Sequence, residues 1–187
     1  LVGSEMCIRD RSHTQGIAIK RNNKLITKLE ENLDFSLTSD QLKTIEEISS
    51  DQSKPNKMLR LLQGDVGSGK TIVALFAMMQ CLENNKRSIL MAPTEILAEQ
   101  HFNTIVKIVN SMDLTCSLIT SSTKDNHNFD ADILIGTHAL FQEKVSFVNI
   151  GLVVIDEQHK FGVHQRILLN EKAGNECDVL LMTATPI

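Results

Sequence analysis

From Met58 onward the chain alternates between two kinds of apolar pattern. Short, nearly continuous apolar runs occupy 58–63, 88–92, 115–120, 132–136, 151–156 and 178–183, with Gly151-Leu152-Val153-Val154-Ile155 the clearest. A run without polar alternation belongs to a strand buried on both faces, as in a parallel sheet covered by helices. Between the first three runs, 70–84 and 94–110 read as helices. Upstream, 24–33 also reads as a helix. So does 38–50, where Thr38 or Ser39 can cap and Leu42, Ile45 and Ile48 share one face. Ser53 and Pro55 make 51–57 a loop. Strands alternating with helices predict a doubly wound parallel α/β sheet, whose ligands gather beyond the carboxyl ends of its strands. Residues 1–12, LVGSEMCIRDRS, have no useful period and read as a non-native, adapter-derived segment. That leaves 13–57 as an N-terminal linker with helices and 58–187 as the α/β lobe.

Between the first strand and the helix at 70–84 lies Gly64-Asp65-Val66-Gly67-Ser68-Gly69-Lys70-Thr71. It fits G-x-x-x-x-G-K-[ST], a loop that cradles polyphosphate. Glycines let the backbone curl so that successive N–H groups point inward at the anion. Lys70 can place a charge on the β/γ-phosphates, and the Thr71 hydroxyl can hold Mg²⁺. The following helix would present its N-terminus to the same anion. At the end of a later strand comes Asp156-Glu157-Gln158-His159. Mg²⁺ prefers one or two carboxylates together with phosphate oxygens, which suits Asp156. Glu157 is then placed to orient and deprotonate an attacking water.

Composition narrows the partners. The 187 residues suit one domain, with 42% hydrophobic and 22% charged residues, and no apolar run long enough to span a membrane. Four scattered cysteines without a C-x-x-C pair argue for a reducing cytosol and against zinc. The net charge of −4 announces no nucleic acid, and without Trp or Tyr a broad base-stacking platform is not expected. DNA contact would have to run through phosphates at a local face. Pro93-Thr94 and Gly136-Thr137-His138 offer small hydroxyls and N–H groups for that, although a helix cap and a strand end would explain them as well. Phe35 and Gln41 are ordinary helix-entry residues, or an adenine site, since Gln can pair with N6 and N7. Thr183-Ala184-Thr185 reads on composition as a strand end before Pro186. Histidines 13, 101, 127 and 164 have no metal spacing and read as surface or packing residues.

In order, Phe35-x-Leu37-Thr38-x-x-Gln41, the loop at 64–71, MAPTEILAEQH at 91–101, GTHAL at 136–140, DEQHKFGV at 156–163 and TATPI at 183–187 resemble the first motor lobe of superfamily 2 helicases. The resemblance is strongest to the RecG family of bacterial ATP-dependent DNA helicases, which remodel stalled forks and Holliday junctions. Ser68, the Thr94-Glu95-Ile96-Leu97 segment and Gln158 set it apart from the transcription-repair coupling translocases, the nearest alternative. A P-loop enzyme of another class, such as a small-molecule kinase, would need an acceptor pocket and lid that no segment supplies.

The resemblance implies a RecA-like lobe binding ATP and Mg²⁺ in a monomeric cytoplasmic protein, with branched or duplex DNA as partner. Phe35 and Gln41 would meet adenine. Gly64, Asp65, Val66, Gly67, Ser68, Gly69, Lys70 and Thr71 would hold the phosphates. Asp156 would hold Mg²⁺ with Thr71, and Glu157 would be the base. Gln158, His159, Thr183 and Thr185 would couple the γ-phosphate to the motor cleft. Pro93, Thr94, Gly136, Thr137 and His138 would touch the DNA backbone. A second lobe bearing an arginine finger, and a wedge domain, are expected in the family but do not occur in this sequence, so the lobe alone should hydrolyse ATP poorly. Two departures stand out. The 120–132 segment is shorter than usual, with Ser121 in place of Gly. Lys160 replaces an Arg, which keeps the charge but loses a planar contact.

Overall fold

Six parallel strands form one sheet in the order β1-β6-β5-β2-β4-β3. The computed structural model describes residues 15–122, 128–141, 147–157, 174 and 176–184. The strands are β1 (Leu59–Gln63), β2 (Arg87–Met91), β3 (Cys116–Ile119), β4 (Ile133–Gly136), β5 (Ile150–Asp156) and β6 (Asp178–Thr183). Each lies within two residues of an apolar run, and β4, β5 and β6 are buried along their whole length. Helices α1 (Lys24–Glu31), α2 (Ser39–Gln52), α3 (Lys70–Glu83) and α4 (Glu95–Asn110) complete the α/β architecture, with a 3₁₀ turn at His138–Phe141.

Strand side chains alternate between two cores, as the period of two demands. Leu62, Leu90, Ile135, Val154 and Leu180 face one cluster, which also takes in residues of all four α-helices. Ile89, Leu134, Val153 and Leu181 face the other, against which Phe129 and Phe147 pack. Helix α3 is apolar nearly all round, with Ile72 through Cys81 buried, because it is covered by α1 and α2 on one side and the sheet on the other.

The N-terminal helices therefore belong to the lobe's core. Ile26 and Leu29 of α1 and Ile45 and Ile48 of α2 join the cluster around α3. Helix α2 runs on to Gln52, into the stretch expected to be loop, because Pro55 stands too far downstream to stop it earlier. Buried Gln80 donates to the carbonyl oxygens of Ile19 (2.7 Å) and Ser49 (3.2 Å), tying the segment before α1 to α2 and α3. Arg60 of β1 pairs with Glu47 and Asp51 of α2, so the strand that carries the phosphate loop is braced from outside the sheet.

Candidate functional site

Apart from the Phe35–Gln41 segment at the start of α2, the motif segments with described residues emerge from the carboxyl ends of strands. Register pairs Gln63 with Thr183, Asp156 with Met182, and Met91 with both Ile155 and Gly136. The chain leaves β1 at Gly64, whose N–H donates to the Thr183 carbonyl at 3.2 Å. The phosphate loop, the acidic pair and the end of β6 thus share one edge.

The loop's geometry depends on its glycines. Gly67 and Gly69 have φ of 81° and 83°, values that L side chains rarely adopt. Gly69 is also the N-cap of α3, and no side chain caps this helix. Its first N–H groups, with the positive end of the helix dipole, remain available to an anion. Lys70 Nζ donates to the carbonyl oxygens of Gly64 (2.7 Å) and Asp65 (2.9 Å), which holds the ammonium over the loop. Asp65, Val66, Gly67 and Ser68 are exposed.

Gln41 reaches this loop from α2. Thr38 and Gln41 form a capping box: Thr38 Oγ1 accepts from Gln41 N–H at 3.2 Å, and Gln41 Oε1 accepts from Thr38 N–H at 2.9 Å. Gln41 Nε2 then donates to the Ser68 carbonyl at 2.9 Å. One amide N–H and one lone pair of Gln41 are left over, enough for a bidentate contact with a base. A Cβ on Gly69 would come within 2.3 Å of Gln41 Nε2 and push this amide aside. Phe35 is about half exposed beside this cap, as an apolar face for a planar ring requires.

Asp156 ends β5 buried, with Glu157 beside it on backbone of φ 51°. A left-handed glutamate is uncommon and marks a constrained turn. Asp156 Oδ2 accepts from His101 Nε2 at 2.8 Å, and His101 Nδ1 lies 3.4 Å from Thr71 Oγ1. A carboxylate can only accept, so Nε2 carries a proton, and in the neutral imidazole Nδ1 then accepts from the hydroxyl. Thr71 and Asp156, hard oxygen donors bridged by one imidazole, suit a small hard cation. Among the described residues no three His, Cys, Asp or Glu cluster into a self-sufficient metal cage, and Mg²⁺ with phosphate oxygens does not need one.

At the other candidate face, Thr94 caps α4, its Oγ1 accepting from Leu97 N–H at 3.3 Å, and is exposed. Glu95 Oε1 accepts from Ser121 N–H at 2.9 Å, fastening the loop after β3 to the start of α4. Pro93 is half-buried and His138 exposed. Gly136 and Thr137 have structural duties instead. A Cβ on Gly136 would meet the Ile119 carbonyl oxygen at 2.1 Å. Thr137 is 2% exposed, with its hydroxyl turned back to Ala139 N–H at 3.4 Å. Gln158, His159 and Thr185 lie outside the described residues, as do Lys160, the segment at 1–12 and part of the shortened 120–132 region. Thr183 is buried at the end of β6.

His101, a surface or packing residue by its sequence, hydrogen-bonds Asp156 and lies 3.4 Å from Thr71 Oγ1. Its place at the end of MAPTEILAEQH was the available signal.

A profile of DEAD/DEAH box helicases matches residues 38–187. The ATP-dependent DNA helicase RecG of Bacillus subtilis is 45% identical over 187 residues, covering 95% of this chain and 27% of the helicase. RecG of Synechocystis sp. is 45% identical over 186 residues, covering 95% and 22%. Among solved structures, RecG bound to a three-way DNA junction aligns at a TM-score of 0.78 with 38% identity, over 95% of this chain and 25% of that one. Yeast Dbp5, bound to Nup159, Gle1, inositol hexakisphosphate and ADP, aligns at 0.61 with 20% identity, over 81% and 48%, a likeness of fold alone. The chain spans about a quarter of the length of the curated relatives it matches.

Proposed function

This chain belongs to the DEAD/DEAH box helicase family, and on that premise we propose that it is the ATP-binding and hydrolysing lobe of a DNA helicase that remodels branched DNA. Similarity to RecG helicases over nearly the whole chain, and to a RecG bound to a three-way junction, supports the DNA substrate. The observation that carries the nucleotide reading is the shared edge. The open N-terminus of α3 with Lys70 and Thr71, and Asp156 with Glu157 at the end of β5, share that edge.

The loop at 64–71 wraps the polyphosphate with N–H groups, and Lys70 exchanges the Gly64 and Asp65 carbonyls for the β/γ-phosphates. Thr71 and Asp156 would hold Mg²⁺, which when bound neutralises charge on those phosphates. Glu157 orients a water and takes its proton. The remaining N–H and lone pair of Gln41 meet adenine beside Phe35. Because Gln41 also bonds the Ser68 carbonyl, base recognition and phosphate-loop shape are linked through one side chain. Pro93, Thr94 and His138 are the DNA-facing groups, while Gly136 and Thr137 shape the turn that presents His138. Gln158, His159, Thr183 and Thr185 complete the coupling set by resemblance. A protein that steps along any sequence should grip phosphates and leave base edges unread.

The test places residues 15–187 in the Bacillus subtilis relative in exchange for its matching segment, and measures ATP turnover with and without three-way junction DNA. Stimulation by the junction is expected. Glu157→Gln should cut turnover by about 10²- to 10⁴-fold while ADP still binds. An active chimera indifferent to DNA would sink the substrate assignment, and near-normal turnover by the Gln variant would sink the assignment of the base.

A further inference from the structure

His101 has no part in the roles assigned above. It sits on α4 seven residues beyond the Thr94 cap, about 10 Å along the helix. Its side chain is 12% exposed. A packing histidine needs one satisfied nitrogen, but here both ring nitrogens face proposed metal-site oxygens, Asp156 Oδ2 at 2.8 Å and Thr71 Oγ1 at 3.4 Å. The two nitrogens sit on opposite sides of a rigid ring, so the imidazole fixes the spacing of the two oxygens it touches. A bond to Oδ2 still leaves the second carboxylate oxygen for a cation, and a hydroxyl that donates to Nδ1 keeps its lone pairs. Outer-shell hydrogen bonds of this kind orient ligating carboxylates, and removing them commonly costs about 10- to 100-fold in metal affinity.

We propose that His101 is a positioning residue of the metal site. It holds Thr71 and Asp156 in the relative arrangement that Mg²⁺ requires, and it makes α4 part of that site. The inference rests on the reading of this edge as a Mg-nucleotide site. The helix that carries His101 begins at the Thr94 cap, on the proposed DNA face.

Calorimetric titration with ADP, once with EDTA and once with excess Mg²⁺, gives the Mg²⁺-dependent gain in affinity. His101→Leu should lose about tenfold or more of that gain and keep its affinity in EDTA. His101→Gln, which retains one donor and one acceptor, should recover most of the gain. Unchanged gain in His101→Leu, or an equal loss with and without Mg²⁺, overturns the inference. Wild-type binding of ADP without any Mg²⁺ gain would overturn the metal reading beneath it, and no ADP binding at all would overturn the nucleotide reading. Should His101→Leu fail to fold, the wild-type chain labelled with ¹⁵N-histidine decides. The ring-nitrogen resonances of His101, assigned with the Gln variant, should shift when Mg²⁺ is added to the ADP complex. Resonances unmoved by Mg²⁺ overturn the inference.

Discussion

Asp156 and Asp178 are buried carboxylates on neighbouring strands of one sheet, at 7% and 2% exposure. They stand at opposite ends of it. Leu152 pairs with Asp178 and Asp156 with Met182, a separation of four residues, or roughly 13 Å. At the carboxyl end, Asp156 meets the His101 ring. At the amino end, Asp178 Oδ1 accepts from Met58 N–H at 2.7 Å, and Oδ2 has no hydrogen bond among the described residues. Burial pushes the Asp178 carboxyl up to about 7, against the pull of the Met58 N–H and Lys57, with nearby Asp51 adding to the rise. Exposure is nearly equal, and the two differ in their partners. One carboxylate is poised among side chains that could share a ligand. The other is enclosed in the fold and favours its neutral form.

The sharpest way to break this contrast is to neutralise each carboxylate in turn. Asp156→Asn should weaken Mg-ADP binding by at least about tenfold in calorimetry, and Asp178→Asn should leave it unchanged. Loss of binding in both would mean that the two ends are not separate. Lys70→Ala, at the same end as Asp156, should weaken ADP binding even without Mg²⁺, because the lost charge faces phosphate directly.

Stability should separate them the other way. The folded chain holds a proton on Asp178 that the unfolded chain releases near pH 4. Stability from this group is thus highest below about pH 4, falls between about pH 4 and 7, and is flat above. Urea unfolding followed by circular dichroism, since the chain has no Trp, should show a decline of roughly 2–4 kcal/mol across that window. Asp178→Asn should remove the slope. Its amide N–H₂ inherits the unpartnered position at a cost of about 1–3 kcal/mol, so the slope is the diagnostic and not the absolute stability. Asp51 acts in the opposite sense: burial raises its carboxyl, but hydrogen bonds from Lys54 and Arg60 outweigh this and lower it. Its contribution is lost only on acidification below about pH 4, outside the Asp178 window. A slope that survives in Asp178→Asn would refute the account of the amino end.

The smallest effect concerns Cys177, next to Asp178. Burial, then the Asp178 charge, raise its thiol to about 12. Alkylation at pH 8 should be slow in the wild type and a few-fold faster in Asp178→Asn at matched stability. An unchanged rate would leave burial as the whole cause.

Much of this was legible in the sequence, for a physical reason. Strands covered on both faces must be apolar throughout, so 151–156 and 178–183 declared themselves, and glycines and a lysine before a helix declared the loop at 64–71. Pairing was not legible. Nothing local in Leu59–Gln63 says that β6, and not β2, lies beside it. Side-chain direction was not legible either. His101 looked inert because its partners lie 30 and 55 positions away. Thr137 looked available, but it is buried and its hydroxyl accepts from Ala139 N–H. The second role of Gln41 also depended on a contact across 27 residues, to Ser68.

Strand β1, from which the phosphate loop hangs, has β6 as its one sheet neighbour among the described strands. The bond from Met58 to Asp178 closes a span of 120 residues. A ribosome adding about 5–20 residues per second needs roughly 6–24 s to cover it. For that interval β1 is an open edge, held by α2 through Arg60 but unzipped on its sheet side. The phosphate loop, early in the chain, is therefore among the last parts to gain its sheet neighbour. A nascent chain stalled between β1 and β6 would display the whole GDVGSGKT signature and yet lack the strand that positions it.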